Sequence, residues 1–193
     1  MSKEEYLNLF RMPTPVKITG RISSITNAFV NGIIPCIVPS GEEIENSLSI
    51  LGMDTHTICC AYCGGPYTEW DHFRPLVRNK RPTGFISEIN NLVPSCGKCN
   101  QSKGNKDWRI WIASDARLSP KTRNISGLIE RIARLEAFEK QSNPIRIDFE
   151  SVVGKDDWEQ HWKNCALLHE QMKQCQTFSD GIKAKIKGYI EEL

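Results

Sequence analysis

Two Cys-x-x-Cys pairs, Cys60-Ala-Tyr-Cys63 and Cys96-Gly-Lys-Cys99, constrain this chain more than any other feature. Each pair sets two thiolates on one tight turn, and two such turns supply the four soft ligands of a tetrahedral zinc site. The 32 residues between Cys63 and Cys96 then form a loop whose ends are clamped together. Gly64 follows the first turn and Gly97 sits inside the second, where the backbone has to curl around an ion. The other cysteines, Cys36, Cys59, Cys165 and Cys175, have no partner at ligand spacing and read as packed thiols, although Cys59 offers an alternative pairing with Cys63. The start of the chain lacks the basic and apolar regions of a signal peptide, and no run of about 18 apolar residues occurs. The expectation is a cytoplasmic chain without a membrane span, in which cysteines serve metals rather than disulfides.

Composition matters mainly through charge. The 193 residues are 39% hydrophobic and 25% charged, enough apolar material to bury a core. The formal net charge of +2 conceals an asymmetry: residues 72–123 hold eleven Lys or Arg against three acids, a balance of +8, and the remainder stands at -6. Positive charge concentrated around the two cysteine pairs points to a polyanionic partner, since each cation that neutralises a phosphate releases condensed counterion. A solvated charged face is the plainer reading of such a run.

Along the chain, Ser2 to Phe10 reads as a short helix ended by Met12-Pro-Thr-Pro15, and Val16 to Ile22 has weak strand character. Ile25 to Ile34 mixes apolar residues with Asn and Gly in no clear period. Ser40 is a good N-cap for a helix carrying Glu42, Glu43, Ile44, Leu48 and Leu51, with Gly52 as its stop. Trp108 to Ala113 reads as the continuation of a preceding helix, Ser119-Pro120 as the opening of the next, and Leu128, Ile132, Leu135 and Phe138 as its apolar stripe. Asn143-Pro144 breaks that helix, and Ile145 to Phe149 alternates like a short strand. In the last 40 residues Trp158, Trp162, Cys165, Leu168, Met172 and Cys175, then Phe178, Ile182, Ile186 and Ile190, recur at helical spacing, as for core packing or a contact between two chains. His161 and His169 flank that stripe without acids or cysteines at ligand spacing.

Between the cysteine pairs lies a polar set suited to hydrolysis. Asp71 offers a hard carboxylate oxygen for Mg²⁺, and the adjacent His72, with an ordinary pKa near about 6.5, suits a general base at neutral pH. Asn100, next to Cys99, can add an amide oxygen to the same ion. Strand alternation would send Asp71 and His72 to opposite faces, so a shared site requires the strand to end or bulge there.

These residues, with the paired cysteine turns around Asp71-His72 and Asn91-Leu-Val-Pro between, resemble the HNH endonuclease family over residues 56 to 112. The resemblance implies an α+β, mainly helical chain: a ββα-metal nuclease core at 56–112 with a structural Zn²⁺ on Cys60, Cys63, Cys96 and Cys99, an N-terminal extension at 1–55 and a C-terminal helical region at 113–193. It implies that Asp71 and Asn100 bind a catalytic Mg²⁺ or Mn²⁺, that His72 activates water, and that Asn91 braces the loop presenting His72. Asn100 stands where many members have histidine, which favours oxygen-preferring metals.

The expected activity is one-metal hydrolysis of DNA phosphodiester bonds, in restriction or phage defence. Arg74, Lys80, Arg81, Lys103, Lys106 and Arg109 are the candidate nucleic-acid contacts, with Arg74 as a transition-state clamp. Cutting both strands would call for two protomers, joined through the C-terminal helices, or two successive nicks. An ATPase or methyltransferase partner would suit a defence role. A non-catalytic zinc-ribbon nucleic-acid-binding protein is the alternative, and a subunit with a decayed nuclease fold is a third.

Overall fold

The computed structural model describes residues 13–193, so the helix expected over Ser2 to Phe10 lies outside the described part. The chain groups into two compact units, one of Asn27–Trp158 and the other joining residues up to Thr26 with Glu159–Leu193. Helices predominate, with two small antiparallel sheets, giving a mixed α and β chain.

Before the first cysteine pair, Ile18–Arg21 forms a 3-10 turn that runs into helix α1 (Ile22–Asn31). Of the strand expected over Val16 to Ile22, the part from Ile18 onward is therefore helical, since a short apolar run without a partner strand has no ladder to join. Helix α2 (Gly41–Ile50) starts where its cap predicts. Ser40 Oγ accepts from the Glu43 N–H and the Glu43 carboxylate accepts from the Ser40 N–H, which satisfies two amides at the open helix end. Its inner face buries Leu48, and Gly52, at φ 68°, ends it in the left-handed region.

In the centre, strand β1 (Glu69–His72) is followed by a hairpin of β2 (Val77–Arg78) and β3 (Arg81–Pro82). The chain then crosses a short 3-10 turn at Ile89–Asn91 into β4 (Leu92–Ser95). β4 pairs antiparallel with β1, Glu69 opposite Ser95 and His72 opposite Leu92, and leads through Cys96 into helix α3 (Gly97–Lys103). Gly104 closes α3 at φ 50°, and Asp107, accepting from the Arg109 and Ile110 N–H groups, caps a separate helix α4 (Trp108–Ile112). Trp108 to Ala113 is thus a new helix rather than a continuation.

Helix α5 (Leu128–Gln141) follows Gly127, not Ser119-Pro120; the Ser119 side chain is buried in a turn, donating to the Ser114 carbonyl. α5 buries Leu135 and Phe138 on the expected stripe. Of the alternating segment after Pro144 only Arg146 makes a bridge, opposite Phe85, before helix α6 (Phe149–Val153). Helix α7 (Lys155–Glu191) runs unbroken through Ser179-Asp180-Gly181. Trp162 and Cys165 are buried, whereas Phe178, Ile182, Ile186 and Ile190 are exposed. Among the described residues no helix is long and apolar enough to cross a membrane.

The core of the larger unit gathers Leu48, Leu51, Tyr62, Phe73, Val93, Trp108, Trp111, Leu135 and Phe138 together with Cys60 and Cys99. Phe73 stacks on Trp108 at 5.3 Å and meets the edge of Phe138 at 5.2 Å. Phe73 directly follows His72, so aromatic packing anchors the chain one residue past the end of β1. In the smaller unit, Gln176 Oε1 accepts from the Ile18 N–H at 2.6 Å, and His169 Nε2 lies 3.3 Å from Thr26 Oγ1. Ser40→Ala, which removes the reciprocal cap of α2, should lower unfolding free energy by about 1 kcal/mol in urea titrations.

Candidate active site and metal centre

The four thiols that the spacing pairs are brought together. Their sulfurs all lie within 4.8 Å of one another, with Cys63 Sγ and Cys96 Sγ 3.8 Å apart. A tetrahedron with zinc–sulfur bonds of about 2.3 Å has edges of about 3.8 Å, so donor type and spacing both fit zinc. Hydrogen bonds from Cys60 and Cys99 hold the Cys63 thiol far below its ordinary range, leaving one member as the thiolate that metals bind. Cys59 lies outside the cluster.

Backbone geometry explains how two short turns converge. The Cys60 N–H donates to the Gly65 carbonyl and the Gly64 N–H to the Cys60 carbonyl, curling the first turn. The Cys99 and Asn100 N–H groups both donate to the Cys96 carbonyl at the head of α3, curling the second. The Ala61 N–H reaches the Pro94 carbonyl of β4 and ties the first turn to the sheet beside the second. Two arginines close the outside. Arg123 donates to Cys99 Sγ at 3.2 Å, and the Arg131 guanidinium of α5 covers Gly64, whose φ of 74° and lack of a Cβ allow the approach. Those two cations sit against a four-thiolate centre that would carry a net charge of -2 with zinc.

Tyr62 connects this centre to Asp71. Lying inside the first turn, fully buried, it donates from its hydroxyl to Asp71 Oδ2 at 2.6 Å. Burial and the neighbouring Asp71 charge push the tyrosine pKa well up, so the hydroxyl remains a donor. Lys103, at the end of α3, places Nζ 3.0 Å from the same Oδ2 and donates to the His72 carbonyl at 2.8 Å. Burial pushes the Asp71 carboxyl up, and Lys103 and Tyr62 oppose that shift. Both contacts fall on Oδ2; among the described residues none falls on Oδ1.

β1 runs in regular register through Asp71 and His72, but His72 is its last residue, and both residues border one cavity of about 150 Å³ together with Asn100. Gly104, Asn105 and, from α1, Asn27 and Asn31 complete the wall. His72 Nε2 is 2.8 Å from Ser87 Oγ. Burial, helped by the Lys103 ammonium, holds the imidazole down at about 4, so it is neutral at pH 7. The fully buried Asn91 accepts from the Arg74 N–H at 2.9 Å and donates to the Arg74 carbonyl at 3.1 Å, while its own carbonyl accepts from the Phe73 N–H. It holds the two residues after His72.

The cations lie in different environments from one another. Lys103 is fully buried rather than facing solvent. Arg74 donates to the Asn90 and Glu139 carbonyls and Ser142 Oγ, joining the end of β1 to the end of α5. Arg109 pairs with Glu136 and Glu139, and Lys106 caps α3 through the Ser102 carbonyl. Lys80 and Arg81 are exposed at the hairpin. Tyr62 and Ser87, the partners of Asp71 and His72, carry no signal in the sequence beyond lying near them in the fold.

The purified chain should carry one zinc ion by metal analysis, lost in Cys96→Ser, and chelation should lower its melting temperature. Lys103→Met, which leaves Asp71 buried without its counter-charge, should cost about 3–5 kcal/mol in denaturant unfolding.

Residues 60–106 match the family model described as HNH endonuclease. Over 56 residues the chain is 45% identical to the CRISPR-associated endonuclease Cas9 of Corynebacterium diphtheriae, a match that takes in 27% of this chain and 5% of that protein. This chain therefore spans a small part of the length of the curated relative it matches, and no solved structure matches it significantly. It is through residues 60–106, the stretch that contains both thiol turns, that this chain is similar to HNH endonucleases.

Proposed function

We propose that the protein is a metal-dependent DNA endonuclease that hydrolyses phosphodiester bonds at the cavity shared by Asp71, His72 and Asn100. That shared cavity is the observation carrying the reading, because it collects an acid, a neutral imidazole and an amide oxygen where two strands meet a helix. The arrangement supports a ββα-metal core, with β1 and β4 as its strands and α3 as its helix.

Asp71 Oδ1 and the Asn100 amide oxygen form the hard donor set for Mg²⁺ or Mn²⁺, and the bound cation would stabilise charge developing on the phosphate. The remaining work belongs to the chain. Lys103 and Tyr62 oppose the effect of burial on the Asp71 carboxyl and orient it through Oδ2. Ser87 accepts the Nε2–H of His72, which leaves the lone pair on Nδ1 to take a proton from the attacking water. Asn91, by fixing the backbone after β1, holds the ring in place. One such site cuts one strand, and two protomers joined through the exposed apolar residues of α7 would cut both. The biological setting we favour is restriction or phage defence, with specificity supplied by the rest of the chain or by an ATPase or methyltransferase partner.

Supercoiled plasmid incubated with the protein and Mg²⁺ should be nicked. His72→Ala should slow nicking by about 10²–10⁴-fold, the usual worth of a positioned base. Ser87→Ala, which frees the imidazole tautomer, should slow it less while leaving zinc content unchanged. Intact plasmid with the wild-type protein would favour the non-catalytic zinc-ribbon reading, and activity surviving His72→Ala would defeat the mechanism.

A further inference from the structure

The cations of this chain divide by what they touch. Arg74, Lys103, Lys106, Arg109, Lys121 and Arg123 all hold acceptors within the protein. Arg78 and Arg146 are exposed, and their guanidinium groups make no hydrogen bond or ion pair among the described residues. They face one cavity of about 540 Å³ with no carboxylate in its lining; a third arginine there, Arg81, donates from Nη1 to the Lys80 carbonyl at 3.1 Å. Pro75 lines both this cavity and the one holding Asp71, His72 and Asn100, so the two adjoin.

Considerable local structure holds these arginines in place. Arg78 and Arg81 are paired across the two-residue turn of the β2–β3 hairpin. Asn79 and Lys80 occupy that turn at φ 51° and 62°, the left-handed values such hairpins need. Lysine is a poor choice for that conformation, costing about 1 kcal/mol relative to glycine, yet it sets another cation at the hairpin tip. Arg146 arrives from the opposite side on a segment laced to residues 84–88. The Ile147 N–H donates to the Gly84 carbonyl at 2.8 Å, and the Ile145 N–H donates to the buried Glu88 carboxylate at 3.0 Å. Gly84, at φ 99°, permits the contact, because a Cβ there would stand 3.0 Å from the Ile147 carbonyl oxygen. The Arg146 guanidinium rests 5.8 Å from the centre of the Phe85 ring, and its stem packs against Gly84.

We propose that Arg78, Arg81 and Arg146 form a seat for the phosphodiester backbone of duplex DNA, beside the scissile position. The seat rests on the nuclease reading for its choice of ligand. Guanidinium groups match phosphate oxygens in pairs, and a cavity lined by three of them without an acid favours an anion. Its role is to set the duplex in register over His72 without reading bases. Arg146 lies forty residues beyond the matched domain, so the sequence outside residues 60–106 would share in holding substrate.

The test is fluorescence anisotropy of a labelled duplex against the full chain carrying His72→Ala, with Mg²⁺, across a range of salt. Arg146→Gln and Arg78→Gln should each weaken binding to unrelated duplexes equally and reduce the slope of log Kobs against log salt by about 0.9, and the double variant by about 1.8. Arg146→Lys should recover most of the lost slope. The side chains are exposed, and an unchanged melting temperature in the variants verifies the fold. An unchanged slope in the double variant, or a duplex that the parent does not bind, overturns the seat. Plasmid nicking by wild type, measured alongside, separates the two ideas: nicking with an unchanged slope sinks the seat alone, and binding with a reduced slope but no nicking sinks the nuclease reading alone.

Discussion

The ion pair between Asp71 and Lys103 is the constraint around which the centre is built. Both side chains are almost wholly withdrawn from solvent, at 5% and 0% exposure. An unpaired carboxylate at such a depth would take up a proton, and an unpaired ammonium would lose one. Paired at 3.0 Å, each compensates the other, and each needs the other's element in register: Asp71 comes from β1 and Lys103 from the end of α3. The His72 carbonyl takes a second donor of the same ammonium, so one lysine meets both the Asp71 carboxylate and the backbone of the histidine beside it.

The thiol centre lies behind that pair. Tyr62 spans the two, with its ring edge-on to Trp111 at 5.2 Å and its hydroxyl on Asp71. The metal site therefore does more than close a loop. It sets the position of a rigid phenol whose only polar atom meets the acid, and α5 adds Arg131 against the same turn. The thiol cluster, the aromatic packing and the buried ion pair form one continuous body around the Asp71 carboxylate.

What could be read directly from the sequence was local or strictly spaced. The α2 cap was legible because Ser40 and Glu43 complete each other within four residues, and the thiol cluster because tetrahedral zinc admits few ligand spacings. Val16 to Ile22 was not legible as helix, because a short apolar run carries no period long enough to separate helix from strand. The positions of the cations were hidden for another reason. Lys103 and Lys106 both follow the second cysteine pair and look alike in sequence, yet one is buried against Asp71 as the last residue of α3 and the other, beyond Gly104, folds back to cap it. The pairing of His72 with Ser87 was equally hidden, since fifteen residues of hairpin and loop separate them and no periodicity connects the two.

The ordering of these groups along the chain has a consequence for its synthesis. Asp71 emerges from the ribosome well before Lys103, and the thiols of the first turn well before Cys96 and Cys99. Until residue 103 has been added, the carboxylate has no ammonium to pair with and the tyrosine turn has no second half to close against. A truncated or half-translated chain therefore possesses every atom of the acid and the imidazole without the arrangement that joins them. The last residue of α3 thus completes, through Asp71, an arrangement that begins at the first thiol turn.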